Sequence, residues 1–178
     1  MNNGNSNSGF RHFEQWGLDD GLAGRVISDV TEDKQGHIWV ATKSGLSRLS
    51  ETGNRWTLES YIHNKSDPNS LSSNNLAALA IDNDGQLWVG TTDAGLNLLA
   101  NDGKGFTHFT QNTAGENELA HNNVRKLLPD QNGRIWIGTQ EGLCLLDKLT
   151  GKFTRYQQEP SNDKSLSQNS IYALHRDR

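Results

Sequence analysis

Asp82, Asn83, Asp84 and Gly85 stand side by side. Acidic or amide oxygens at alternate positions before a glycine are how a calcium-binding loop begins. Two other tetrads share its outline, Asp33-Lys34-Gln35-Gly36 and Asp130-Gln131-Asn132-Gly133, but both lack the second acid. No Glu follows at the spacing that would complete a calcium loop. A turn explains the same residues: the Asp side chain bonds its own backbone and Gly supplies a positive φ. Six histidines are present (His12, His37, His63, His108, His121 and His175), and none forms a metal-type pair at short spacing. The lone Cys144 excludes a disulfide within the chain and a cysteine-rich metal site. It lies between Leu143 and Leu145, with no basic neighbour to lower its pKa, and reads as a buried structural thiol. Gly103-Lys104-Gly105 lacks the spacing of a phosphate loop, and no Gly-x-Ser-x-Gly occurs. The residues therefore predict no catalytic group, no metal and no cofactor.

The elements that carry these residues repeat. Gly36-His37-Ile38-Trp39-Val40-Ala41-Thr42 returns as Gly85-Gln86-Leu87-Trp88-Val89-Gly90-Thr91 and as Gly133-Arg134-Ile135-Trp136-Ile137-Gly138-Thr139. Each copy is followed by Gly-Leu, at Gly45-Leu46, Gly95-Leu96 and Gly142-Leu143. One unit holds four short runs of strand-forming residues within about 48 residues, and no segment shows sustained helical periodicity. Four strands per repeat of that length is one β-propeller blade. The strands run first to fourth from the axis outward. Asp-x-x-Gly turns the first strand into the second. The Trp fills the wedge between blades, and the small residue after it lets the next sheet approach.

The fold class expected is all-β: a partial β-propeller of three complete four-stranded blades, at about 25–61, 74–109 and 122–156. Phe10-Arg11-His12-Phe13 matches Phe106-Thr107-His108-Phe109, which predicts an outer strand at the N-terminus. His12 and His108 then face solvent from equivalent strand positions. Residues 171–177 match 124–130, which predicts a further inner strand. The division expected is a flexible leader at 1–9 and a partial propeller at 10–178. Closure takes about four to eight blades. The three here are thus expected to be the N-terminal part of a larger propeller. A homodimer would join an inner strand to an outer one, leaving a gap.

Bulk properties narrow the partners. The net charge is −4 and Lys and Arg are scattered, so there is no basic face for nucleic acid. No stretch reaches transmembrane length, and the N-terminus has neither the basic start nor the apolar core of a signal peptide.

Ser66-Asp67-Pro68-Asn69-Ser70-Leu71-Ser72-Ser73-Asn74-Asn75, followed by Asp82 to Thr91 and Gly95-Leu96-Asn97, resembles the two-component regulator propeller repeat. The third unit and the loop Asp163-Lys164-Ser165-Leu166-Ser167-Gln168-Asn169-Ser170 resemble it equally. The first departs: Ala41 replaces Gly, and the loop before Val26 lacks Ser-Leu-Ser. The resemblance implies a periplasmic sensor region of a membrane-anchored bacterial signalling protein. Its partners would be an oligosaccharide or other small-molecule ligand, the remaining blades, and downstream signalling domains.

Binding is expected where the axis opens beside the long polar loops 62–75, 110–123 and 157–170. Asn74 and Asn122 recur at the ends of these loops, where each either bonds a ligand hydroxyl or caps the loop backbone. Arg25, Arg125 and Tyr172 differ between copies at the starts of inner strands, and unrepeated residues are the better candidates for specificity. His121 also lies on this side. The ligand-binding candidates are therefore Arg25, Asn74, Asn122, Arg125 and Tyr172. The rival readings are a structural or dimerisation scaffold and, further off, a propeller lyase.

Overall fold

A computed structural model describes residues 16–53, 55–111 and 118–177. The leader and the expected strand at residues 10–13 lie outside these. After one 3-10 turn at Leu18–Asp20, the described residues form twelve strands in three antiparallel sheets of four. The first sheet holds β1 (Ile27–Glu32), β2 (Ile38–Thr42), β3 (Gly45–Thr52) and β4 (Arg55–Tyr61). The second holds β5 (Leu76–Ile81), β6 (Leu87–Thr91), β7 (Leu96–Leu99) and β8 (Phe106–Phe109). The third holds β9 (Val124–Pro129), β10 (Arg134–Thr139), β11 (Gly142–Asp147) and β12 (Lys152–Tyr156). Strands pair in chain order within each sheet. First strands of successive sheets pack against one another, β1 on β5 and β5 on β9. This is a partial β-propeller of three blades.

The turn between first and second strands is built as its residues dictate. Asp82 Oδ1 accepts the amides of Asp84 and Gln86, and Gly85 takes φ +85. A second role was not visible in the motif. Asp82 Oδ2 accepts the indole N–H of Trp88 at 2.9 Å, as Asp33 does from Trp39 at 2.8 Å. The turn thereby fixes the ring that fills the blade interface. In the third blade Arg134 takes that oxygen of Asp130 instead.

The core lies between blades. One cluster joins Trp39, Ala41 and Leu46 of blade one to Leu79, Val89 and Phe106 of blade two. The next joins Trp88 and Leu96 to Ile135, Ile137 and Phe153 of blade three. Trp39 and Trp88 are 3% and 2% exposed, whereas Trp136, on the outer face of the third described blade, is only half-buried. Residues 171–177 form no ladder. Yet Ile171 donates its amide to Thr139 O at 3.0 Å and sits against Gly138. An inner strand is paired by the second strand of its own blade, and that strand does not follow within these 178 residues.

Candidate functional site

Each inner strand begins with a β-bulge. The extra residue is Ser28, Ala77 or Arg125 in turn. A bulge leaves one residue outside the ladder and re-aims its side chain, which is why bulges gather at the rims of β structures and beside functional sites. The registers make Ile27, Leu76 and Val124 equivalent, since each pairs with the threonine ending its second strand. By the repeat, Tyr172 then stands level with Arg125 in the next position round the axis.

These two side chains meet. The Arg125 guanidinium lies 4.6 Å from the centre of the Tyr172 ring. A cation over an aromatic face is held flat by the ring's negative centre. Arg125 Nη1 is buried and has no hydrogen-bond partner. Four buried side-chain polar atoms are unpartnered among the described residues: Ser28 Oγ, Asn75 Oδ1, Arg125 Nη1 and Arg48 Nε. Ser28 and Arg125 are equivalent bulge residues of β1 and β9, whereas Asn75 stands two positions before Ala77, the bulge residue of β5, level with Val26 and Asn123. Unpartnered buried polar atoms are few in folded proteins, and each costs about 1–3 kcal/mol. Two of them stand at equivalent bulge positions, offering a hydroxyl and a guanidinium N–H that can meet a polar ligand seated across the axial opening, where blade two presents only Ala77.

Not every sequence candidate joins these bulge positions. Asn74 Oδ1 accepts the amide of His63, and Asn122 Oδ1 that of Gln111, each at 2.6 Å. Asn169 does the same for Gln158. These oxygens close the loops that lead into the inner strands, which is the backbone-capping role. Arg25 is exposed, and the register places it level with Asn74 and Asn122, three positions before the bulge. The bulge residue of the first blade is Ser28. Nδ1 of His121 accepts the Asn123 amide at 2.9 Å.

Sequence reasoning missed Ser28 and Asn75. Asn75 differs from its equivalent Asn123 through its neighbour. Gln140 accepts from the Asn123 amide nitrogen at 2.9 Å, but Thr92 stands where Gln140 would be in the second blade. That bond engages the nitrogen of Asn123, so the unpartnered Oδ1 of Asn75 leaves no signal in the repeat. A second repeated device also escaped notice. Ser47, Asn97 and Cys144 share one fully buried position, and each accepts a loop amide: Ala23 at 2.9 Å, Ser72 at 2.9 Å and Ala120 at 3.1 Å. Burial pushes the Cys144 thiol pKa up, so it is a structural acceptor and no nucleophile. Among the described residues, no group of three or more His, Cys, Asp and Glu could hold a metal ion.

The repeats have known counterparts. The two component regulator propeller family matches residues 21–44, 70–93 and 118–141, one match per blade. Each match runs from the loop entering the first strand to the turn after the second. Each blade of this chain thus carries a match to the two component regulator propeller repeat. The extracellular domain of the hybrid two component system BT3049 from B. thetaiotaomicron superposes with a TM-score of 0.78 at 26% identity. That superposition covers 90% of this chain and 22% of that one. The corresponding domain of BT4673 from the same organism gives 0.64 at 24%, over 85% and 19%. The chain thus spans about a fifth of either structure. Virginiamycin B lyase from Staphylococcus aureus shares the fold at 13% identity and a TM-score of 0.56, over 78% of this chain and 43% of the lyase. No curated protein matches the chain in sequence.

Proposed function

We propose that this chain is part of an extracytoplasmic ligand-sensing propeller of a bacterial signal-transduction protein. Its ligand, an oligosaccharide or another small polar molecule, binds at the axial opening beside the entry loops. The observation that carries this reading is the pair of equivalent bulge residues Ser28 and Arg125, each with an unpartnered buried polar atom at the entry end of an inner strand. The cation–π contact with Tyr172 gives Arg125 a fixed plane before any ligand arrives, which lowers the ordering cost of binding. The likeness to extracellular domains of hybrid two component systems supports a sensory role and a location outside the cytoplasm. Remaining blades and signalling domains of a parent protein would carry the response. The site works by binding and not by turnover: it holds no nucleophile and base within reach of each other.

Calorimetry on the 178-residue chain with a panel of neutral and acidic oligosaccharides tests this. A binding member of the panel is expected. Arg125→Gln should weaken it by about 10- to 100-fold, the worth of one charge-assisted hydrogen bond. Binding unchanged in Arg125→Gln, or consumption of a panel member, would overturn the reading.

A further inference from the structure

The fourth unpartnered atom lies elsewhere. Arg48 Nε is buried at the interface of blades one and two, on the face of the disc opposite the entry loops. Its guanidinium sits 5.6 Å from the Trp39 ring, and its Nη2 donates to Glu59 at 2.7 Å. The registers pair Trp39 with Arg48, Trp88 with Leu98 and Trp136 with Leu145. The repeat thus specifies leucine here, and only blade one replaces it with a charge.

Two further departures from the repeat adjoin Arg48. Between blades two and three, Lys148 reaches across the wedge to Asp82 at 2.6 Å and Asp84 at 2.5 Å, closing it with an ion pair. The position equivalent to Lys148 in blade two is Asn101, five residues after Leu96 as Lys148 is after Leu143. The position equivalent to Asp84 in blade one is Gln35. The plug is therefore absent between blades one and two, and a cleft of about 270 Å³ remains there. Gln35, His37 and Arg48 form its blade-one wall, and Gln86, Asn101 and Asp102 its blade-two wall. Ile81, Leu87 and Leu99 lie beneath. Ligand pockets run from roughly 300 Å³ upward, and the cleft lies just under that bound, which limits it to one small molecule.

From this we infer a second binding site, in the wedge between blades one and two, for a neutral polyhydroxy molecule about the size of a monosaccharide. Donors and acceptors alternate along both walls, and a hydroxyl both donates and accepts. Arg48, about a third exposed and lining the cleft, presents guanidinium N–H groups to a hydroxyl oxygen. An anion is disfavoured: Glu59 already neutralises Arg48, and the acidic residues Asp33 and Asp102 line the same cleft. The apolar floor receives the C–H face of a sugar ring. This site is independent of the axial one and is built wholly from two complete blades.

The test is ligand-observed NMR on the 178-residue chain with glucose, galactose, mannose and N-acetylglucosamine, and with glucuronate and sulfate as anionic controls. At least one neutral sugar should bind. Arg48→Leu, which restores the repeat, should abolish that binding, and Arg125→Gln should leave it intact. The double variant Gln35→Asp with Asn101→Lys installs the plug of the neighbouring wedge and should also abolish it. A thermal melt shows whether each variant is folded. Four outcomes would overturn the inference: no neutral sugar bound, only the anions bound, binding that survives both folded cleft variants, or binding lost in Arg125→Gln alone.

Discussion

Replacing Gly90 by Ala should destabilise the protein through one contact. A Cβ at Gly90 would lie 2.6 Å from Val124 Cγ1 and 3.1 Å from Val124 Cβ. Carbon atoms prefer about 3.5–4.0 Å, so roughly 1 Å must be found across the interface of blades two and three. Overpacking of this kind costs about 1–3 kcal/mol. Gly90 has no positive φ, so the new side chain meets no backbone strain, and the stiffer unfolded chain returns about 0.4–1 kcal/mol. A net loss near 1–2 kcal/mol is expected, read as a lower urea midpoint by Trp fluorescence. The first blade shows how the clash is avoided. Ala41 takes the place of Gly90, and Leu76 takes that of Val124. Leu lacks the second γ carbon that crowds the added methyl. Val124→Leu should therefore rescue Gly90→Ala, with a coupling of about 0.5–3 kcal/mol in the double-mutant cycle. Unchanged stability in Gly90→Ala, or purely additive effects in the double variant, would refute the reasoning.

Cys144→Ala should cost about 1–3 kcal/mol, because the buried amide of Ala120 loses its acceptor, whereas Cys144→Ser, which copies Ser47, should cost less. Urea midpoints of the two variants check this, and equal losses would contradict it. The third concerns acid. Burial opposes ionisation of Asp82, but hydrogen bonds from Lys148, Trp88 and the Gln86 amide outweigh it and hold the carboxyl below its usual range. A depressed folded value stabilises fully above the unfolded value of about 4 and is lost as pH falls through the folded value. Stability should therefore be flat from neutral pH to about 5 with respect to this group and fall below about 4. In Lys148→Met burial is less opposed and the folded value rises toward the unfolded one, so the loss of stability on acidification should be smaller. An unchanged acid profile in that variant would count against the pairing.

The blade pattern was legible because its causes are local and repeat. A turn needs Asp and Gly at fixed spacing, a strand needs its alternating apolar residues, and the interface needs a small residue after Trp. Three copies made each cause visible by comparison. The placement of Asn74 and Asn122 on loop ends was equally plain, and both of their expected roles were chemically sound. The choice between them came from the amides of His63 and Gln111, eleven residues away, which only the folded loop brings to 2.6 Å. Arg25 stands at the start of the first inner strand and looked comparable to Arg125. A one-residue bulge on each inner strand sets the true register, and it puts Ser28 at the level of Arg125.

Sequence by itself determined the architecture of this protein: strands, turns, blade count and the inter-blade role of Trp, all consequences of short-range patterning multiplied by repetition. Tertiary structure decided where function could reside. Whether a polar atom is left without a partner depends on every neighbour from every blade, so Arg125 Nη1, Ser28 Oγ and the cleft at Arg48 emerge only when the sheets pack. The plug at Lys148 makes the same point, since its two partners lie 64 and 66 residues back along the chain.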